Sequence, residues 1–357
     1  MSHSIALNFE DGVTRFIECR PDETIADASY RVGINIPFDC RDGVCGTCKC
    51  RVEAGEYDHG NYLDDALTGE EAAAGLALAC QTRPNTDLVV AIAASSETCK
   101  TRGQTYRARL HSVERLSETT IAFSLDGADG VSFLPGQYAN LLVPGTDQRR
   151  SYSFSSPPGA EPLCFLVRNI LPGMMSTYLR EKAVPGTSVE FIGPAGSFYL
   201  REIKRPLLFL ASGTGLAPFL SMLGKIAETG GAYPIHLVYG VTNDSDLVGV
   251  EWLEEFATKI PGFTFVTCVA AADSAYSRKG YVMAHVEAGH LNGGDVDVYL
   301  CGPPPMVDAV RTWLGEQGVT PENFYTEKFS PSGAVTPIDE AQVRRREAKL
   351  FQAQLSR

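Results

Sequence analysis

The stretch FDCRDGVCGTCKC, residues 38–50, decides the fold of the first part of the chain. Within it Cys40, Cys45 and Cys48 form a C-x4-C-x2-C motif, and Cys80 follows in a separate segment. Three thiolates at this spacing reach one small inorganic core only when the chain between them folds back as a loop. The spacing is typical of [2Fe–2S] ligation. The motif therefore predicts a [2Fe–2S] cluster held by these four cysteines.

The residues around the motif favour a cluster over other uses of cysteine. Gly43 and Gly46 accept positive φ and let backbone N–H groups approach the cluster sulfurs. Cys50 is expected to point elsewhere and to bind no metal. Structural zinc sites usually pair two short C-x2–4-C knuckles, whereas Cys80 stands alone. Disulfides are disfavoured because an intracellular chain keeps its thiols reduced. Zinc stays open as the alternative.

Length and charge limit the class of protein. The 357 residues allow two or three domains, each with its own core. No apolar run approaches the ~20 residues of a membrane span, and MSHSIALNFEDG at the N-terminus lacks signal-peptide features. We therefore expect a cytoplasmic protein with no membrane partner. The net charge of −12 argues against nucleic acid, which binds to a basic face.

The first part of the chain resembles a known domain. Short alternating strands at residues 4–9 and 13–19 flank an Asp-Gly turn, and a helix begins after Thr24. With the cysteine motif, residues 1–97 resemble a plant-type ferredoxin domain, which implies a β-grasp fold. Residues 98–105 lose apolar periodicity and are predicted to be a linker.

The middle of the chain changes to an apolar period of two. Short strands from Tyr106 onward predict an antiparallel β-barrel. PGQY at 135–138, R-S-Y-S at 150–153 and GMMSTYL at 173–179 follow in order. This three-part pattern resembles the flavin domain of the ferredoxin–NADP reductase superfamily, placed here at residues 106–204.

The resemblance implies the flavin site, and FAD as its cofactor. Arg150 would pair with the pyrophosphate through its planar fork, Tyr152 would stack on the ring, and Ser153 would lie near N5. Backbone N–H groups and hydroxyls at the start of a helix would receive phosphate. The predicted flavin-binding residues are Arg150, Ser151, Tyr152, Ser153, Gly173, Met175, Ser176 and Thr177.

The last domain, residues 205–335, opens with the continuous apolar strand PLLFLAS, typical of a buried parallel sheet. A glycine turn and a helix follow, and βαβ units continue to C-G-P-P-P-M at 301–306. The two motifs are similar to the nicotinamide-binding half of the same superfamily. The predicted nicotinamide-binding residues are Gly213, Thr214, Gly215, Asp246, Cys301, Gly302, Pro303 and Met306.

Coenzyme choice and catalysis rest on fewer residues. Asp246, with Asn243 and Asp244 nearby and no close arginine, favours NADH, because a carboxylate suits ribose hydroxyls and repels a 2′-phosphate. The resemblance makes Ser153, Cys301 and Phe329 the candidates for neighbours of the hydride-transfer centre.

The domain order resembles the reductase components of bacterial aromatic-ring dioxygenases, and the run LNGGDVDVYLCGPPPMV at 291–307 especially resembles the benzoate and toluate group. It implies an NADH:acceptor oxidoreductase that passes electrons from NADH through FAD and [2Fe–2S] to a terminal Rieske non-haem iron oxygenase, which dihydroxylates an aromatic acid. One alternative is a reductase for a di-iron monooxygenase. A distant one is a non-catalytic zinc module with a nucleotide-sensing domain. Residues 336–357 predict a weakly amphipathic helical tail.

Overall fold

A computed structural model describes residues 2–38, 43, 46–64, 66–99 and 104–329. Two predicted cluster ligands, Cys40 and Cys45, lie outside the described residues, as does the predicted tail at 336–357.

The first domain is a mixed sheet covered by a helix. Its strands and helices are β1 His3–Phe9, β2 Thr14–Cys19, α1 Ile25–Arg31, β3 Lys49–Ala54, β4 Tyr57–Asp58, α2 Gly69–Ala73, β5 Leu76–Leu78, β6 Arg83–Pro84, β7 Leu88–Ile92 and α3 Ser96–Cys99. The main sheet has the order β2-β1-β7-β3-β5, with β1 antiparallel to β2 and parallel to β7. Thr24 caps α1 by accepting a hydrogen bond from the Asp27 backbone N–H at 3.2 Å. This arrangement is the predicted β-grasp.

The second domain is an antiparallel sheet that nearly closes on itself. Its elements are β8 Gln104–Arg115, β9 Thr120–Asp126, β10 Tyr138–Leu142, β11 Arg149–Ser153, β12 Leu163–Arg168, α4 Met174–Glu181 and β13 Ser188–Ala195. The order is β11-β10-β13-β8-β9-β12, and a bridge between Phe154 and Phe165 brings the two edge strands together. Both rings are fully buried in the barrel core. The predicted barrel is confirmed.

The third domain is a parallel sheet with helices on its faces. Its elements are β14 Leu207–Ser212, α5 Ala217–Thr229, β15 Ile235–Val241, α6 Val250–Lys259, β16 Phe263–Val269, α7 Ala288–Leu291, β17 Asp297–Gly302, α8 Pro304–Glu316 and β18 Asn323–Lys328. The strand order is β16-β15-β14-β17-β18. From β14 the chain adds β15 and β16 on one side and then returns to add β17 and β18 on the other side, so the order switches between β14 and β17. Nearly every residue of these central strands is buried, which explains their continuous apolar sequences.

The domains are joined by short connecting segments and by the side chain of Arg201. The predicted linker at 98–105 overlaps the end of α3 and the start of β8, so part of it is regular structure. The Arg201 guanidinium, between β13 and β14, lies 3.5 Å from the ring centroid of Tyr199 and 4.6 Å from that of Tyr325. It also donates to the Ala93 carbonyl oxygen of the first domain at 3.3 Å. One cation therefore contacts all three domains.

Candidate cofactor and electron-transfer sites

The segment that carries the cysteine motif requires its glycines. Gly43 has φ of 73°, and a Cβ there would lie 2.4 Å from the Asn61 carbonyl oxygen. Gly46 has φ of 75°, and its Cβ would lie 3.0 Å from the Ala66 carbonyl oxygen. Both positions combine a left-handed backbone with a close approach, so a side chain at either position would be strained.

The two described cysteines of the predicted ligand set lie on adjacent segments. Cys48 and Cys80 are 2% and 7% exposed, and the Ala79 N–H donates to the Cys48 carbonyl oxygen at 3.0 Å. By contrast, Cys50 lies in the domain core and its thiol donates to the Ala77 carbonyl oxygen at 3.5 Å. Burial raises the pKa of the Cys50 thiol, so this cysteine is a neutral core residue. The full set of four ligands stays a prediction.

Arg150 lies beside the start of α4, where the predicted flavin-binding residues gather. The Arg150 guanidinium donates to the Arg149 carbonyl oxygen at 2.7 Å and lies 3.2 Å from the Met174 sulfur. Within the described ranges, no carboxylate forms an ion pair with it. Helix α4 begins at Met174, and its N-cap residue, Gly173, has no capping side chain; a Cβ on Gly173 would lie 2.5 Å from the Ser176 hydroxyl oxygen. An arginine without a carboxylate beside an uncapped helix start fits the pyrophosphate of FAD.

The other predicted flavin residues differ in what their side chains do. Burial raises the pKa of the half-buried Tyr152, which packs edge-on against Phe123. The Ser176 hydroxyl is buried and donates to the Ile170 carbonyl oxygen at 2.8 Å, and its predicted contact with phosphate stays a prediction. Met175 packs in the barrel core, so its side chain has a structural environment. Ser151 is exposed and bonds to Asn140, and Thr177 is half-buried in the first turn of α4.

The two nicotinamide motifs meet where the strand order reverses. Gly215 lies in the 3₁₀ turn Gly213–Leu216 that contains Thr214, and its Cβ would lie 2.4 Å from the Cys301 carbonyl oxygen. A Cβ on Gly302 would lie 2.6 Å from the Met306 sulfur. Helix α8 begins after Pro303 with no side-chain cap. Ligands of open α/β sheets bind at such a reversal, beyond the carboxyl ends of the strands, so the residues fit a dinucleotide.

The three predicted catalytic residues converge at the boundary of barrel and nicotinamide domain. The Ser153 hydroxyl donates to Glu327 Oε2 at 3.2 Å, and Glu327 is paired with Cys301 across β17 and β18. The Phe329 N–H donates to the Gly302 carbonyl oxygen at 2.9 Å. Burial raises the pKa of the Cys301 thiol well above its usual value, so it is neutral rather than a nucleophile.

Glu327 is a candidate that the sequence analysis missed. It faces Ser153 from the third domain, in the strand NFYTEK whose residues are all half-buried. No signal in the sequence singled out Glu327, because its partial burial and its contact with Ser153 are set by tertiary packing.

Asp246, which is predicted to bind ribose, makes hydrogen bonds within the protein. It is 8% exposed, and Oδ1 accepts a hydrogen bond from the Thr119 hydroxyl at 2.6 Å. Oδ2 accepts from the backbone N–H and the side-chain amide of Asn243 at 3.2 and 3.0 Å. Asp246 therefore joins the nicotinamide domain to the barrel hairpin between β8 and β9. Its contact with ribose stays a prediction.

Replacement of Asp246 by alanine is expected to have two effects. It should narrow the NADH preference by about tenfold, or about 1.4 kcal/mol, because a carboxylate that repels a 2′-phosphate is lost. It should also lower the free energy of unfolding by about 1–3 kcal/mol, because Thr119 and Asn243 lose their acceptor. The ratio of kcat/KM for NADH and NADPH, with a urea titration, measures both.

Thr119→Val separates the two effects. It removes the hydrogen bond to Asp246 but keeps the carboxylate, so stability should fall while coenzyme preference stays at the wild-type ratio. An unchanged ratio in Asp246→Ala would remove this residue from the coenzyme site.

Comparison with known proteins gives the same order of domains. The model of a 2Fe-2S iron-sulfur cluster binding domain matches residues 8–85. The oxidoreductase FAD-binding domain matches residues 107–199, and the oxidoreductase NAD-binding domain matches residues 209–312. The chain therefore combines [2Fe–2S], FAD and NAD sites, and the iron–sulfur match replaces the zinc alternative.

Relatives match along nearly the whole chain. The toluate 1,2-dioxygenase electron transfer component of Pseudomonas putida is 55% identical, over 93% of this chain and 100% of its own length. This chain belongs to the electron transfer components of aromatic-ring dioxygenases. Another member of the family, the anthranilate 1,2-dioxygenase electron transfer component of Acinetobacter baylyi, is 43% identical over 93% of this chain and 98% of its own length.

A solved structure has the same fold as this chain. The Amycolatopsis cytochrome P450 reductase GcoB has a TM-score of 0.68 and 32% identity, covering 92% of this chain and 99% of its own. Across the described ranges, no helix has the length and apolar character needed to cross a membrane.

Proposed function

We propose that the protein is the NADH-dependent reductase of a two-component aromatic-acid dioxygenase. Electrons would pass from NADH through FAD and [2Fe–2S] to a terminal Rieske non-haem iron oxygenase, which dihydroxylates a benzoate-type acid. The observation that carries this proposal is the full-length similarity to the toluate 1,2-dioxygenase electron transfer component. The 2-halobenzoate 1,2-dioxygenase electron transfer component of Burkholderia cepacia is 52% identical, and its name also specifies a dioxygenase of a benzoate-type acid.

A bound flavin supplies the conversion of a two-electron hydride into the single electrons that a [2Fe–2S] cluster accepts. The residues of this chain supply binding and orientation. Arg150 and the start of α4 would hold the flavin pyrophosphate, and the turn at 213–216 would hold that of NADH. Ser153 and Glu327, linked at 3.2 Å, would position the two rings from opposite domains.

Finer features belong to the same proposal. The domain limits are proposed as 1–97, 106–204 and 205–335, with a cytoplasmic location and NADH as the coenzyme. We propose that Cys48 and Cys80 bind the cluster together with Cys40 and Cys45, which lie outside the described residues.

A di-iron monooxygenase reductase is the second candidate. The phenol 2-monooxygenase reductase component DmpP of a Pseudomonas strain and a propane 2-monooxygenase reductase component of Rhodococcus jostii are 33% and 31% identical. The dioxygenase components reach 43% to 55% over a similar share of the chain, which favours a dioxygenase partner.

Partner-dependent turnover tests the proposal. The holoprotein is titrated with NADH under anaerobic conditions, and visible bands of flavin and cluster should bleach together. It is then mixed aerobically with a benzoate-type Rieske oxygenase or with a di-iron phenol hydroxylase. The expected result is a cis-dihydrodiol acid in the first mixture and little product in the second. The reverse pattern would assign the protein to the monooxygenase systems.

A further inference from the structure

An ion-pair network crosses from the ferredoxin domain to the nicotinamide domain. Glu71, on α2, receives the Lys49 ammonium at 2.7 Å on both carboxylate oxygens. The Arg311 guanidinium, on α8, donates to Glu71 Oε1 at 2.9 Å. The three side chains are only 20% to 33% exposed, so water and salt screen the network less than a surface pair.

The carboxylate at the centre is held in place from its own domain. Glu71 is the third residue of α2, and its Oε2 accepts from the Thr68 backbone N–H at 2.9 Å in a capping box. Burial alone would raise the pKa of Glu71, but the hydrogen bond and charge of Lys49 lower it below its usual value. The ferredoxin domain thus presents a fixed, ionised acceptor to the neighbouring domain.

The ends of the network are joined along the chain to the two redox segments. Lys49 directly follows Cys48, a predicted cluster ligand. Arg311 lies on the helix that begins immediately after Cys301–Pro303, the nicotinamide segment. Its guanidinium also lies 5.4 Å from the Phe324 ring centroid, on the strand that carries Glu327.

We infer that Lys49, Glu71 and Arg311 form an ionic latch that seats the ferredoxin domain on the nicotinamide domain and thereby sets the separation of cluster and flavin. The inference rests on the proposed function, since it concerns the transfer between those two centres. Glu71 and Arg311 are positioning residues: they act through the placement of a domain and touch neither cofactor. The contacts of Arg201 also join the three domains. Loss of the latch should therefore loosen one side of the interface and leave the chain folded.

Hydrogen–deuterium exchange on the holoprotein measures how firmly the ferredoxin domain is held against the nicotinamide domain. In Arg311→Gln, peptides covering α2 and α8 are expected to exchange about tenfold faster, since a coupling of about 1.4 kcal/mol corresponds to that factor. The faster exchange should appear in both domains, although the substitution lies only in the nicotinamide domain. Lys259→Gln is the matched control: it removes an exposed ion pair with Glu255 inside α6 and should leave α2 unchanged.

Rapid kinetics measures the consequence for electron transfer. Flavin reduction by NADH should keep its wild-type rate in Arg311→Gln, whereas cluster reduction should slow by about tenfold. Glu71→Gln should act in the same direction, and the double variant should be no slower than the worse single variant, because one interaction is lost in all three. Arg311→Lys should restore part of the rate.

Three outcomes would overturn the latch. These are unchanged exchange of α2 in Arg311→Gln, an unchanged rate of cluster reduction, or a shift in cluster potential that accounts for the slower rate. The potential is measured by redox titration of the same variants and is expected to stay at the wild-type value in Arg311→Gln. Failure of the wild-type protein to reduce its cluster with NADH would instead contradict the proposed function.

Discussion

Cys80→Ser is expected to abolish the iron–sulfur cluster while NADH still reduces the flavin. Cys80 is 7% exposed and follows Ala79, whose N–H bonds to the carbonyl oxygen of Cys48. A serine hydroxyl lacks the soft thiolate that holds iron–sulfur clusters. Since outer partners of metal ligands alone are worth about 10- to 100-fold, loss of a ligand should cost more than that in electron delivery.

Iron and acid-labile sulfide assays, the visible spectrum and the rate of flavin reduction measure this result. Cys50→Ser is the matched control, because it changes a buried cysteine of the same domain whose thiol bonds to the Ala77 carbonyl oxygen. It should retain the cluster. A full complement of iron in Cys80→Ser would place the fourth ligand elsewhere. Simultaneous loss of flavin reduction would contradict the separation of the two sites into independent domains.

Glu327→Gln is expected to slow the reduction of the flavin by NADH by about 10²-fold, the usual cost of removing one preorganised electrostatic group from a reaction centre. With NADH bound, a carboxylate at the boundary of the two domains would stabilise the positive charge that a nicotinamide ring gains when it gives up hydride. The carboxylate is oriented by Ser153, which is 2% exposed, and lies on the strand beside Cys301. FAD content and the cluster spectrum should be unchanged.

Single-turnover kinetics with NADH tests this expectation. Glu322→Gln is the control: it makes the same acid-to-amide change just before β18, where the side chain is 59% exposed near Arg205. Glu322→Gln should leave the rate of flavin reduction within about twofold of the wild-type rate, because the change lies away from the reacting rings. Ser153→Ala should give a smaller loss than Glu327→Gln, since it removes the orienting hydrogen bond but keeps the charge. A wild-type rate in Glu327→Gln would exclude this carboxylate from the transition state.

The fold was largely predictable because its signals are local. The period of two in the barrel, the buried apolar strand PLLFLAS and the glycines at positions 43 and 46 each reflect a constraint within a few residues. The convergence of Ser153, Cys301 and Phe329 followed only from resemblance, since no pattern in the sequence shows that residues so far apart meet.

What the sequence did not predict depends on partners from other domains. Glu327 could not be assigned without Ser153 opposite it, and the pairing of Asp246 with Thr119 joins residues 127 positions apart. The Ser176 hydroxyl donates to the Ile170 carbonyl oxygen, a contact that the sequence did not indicate, and its predicted contact with phosphate stays a prediction. In each case the partner of a polar group is decided by tertiary packing rather than by spacing along the chain.

The contacts of Arg201 restrict how such reductases can exchange domains. A chimera that takes its ferredoxin domain from another reductase must still bring a backbone carbonyl to this guanidinium, as Ala93 does here, and an acid where Glu10 lies 3.5 Å from Arg201 Nε. A replacement nicotinamide domain must likewise supply an aromatic ring where Tyr325 lies. An incoming domain must therefore match the contacts of Arg201 as well as the linker that joins it to the chain.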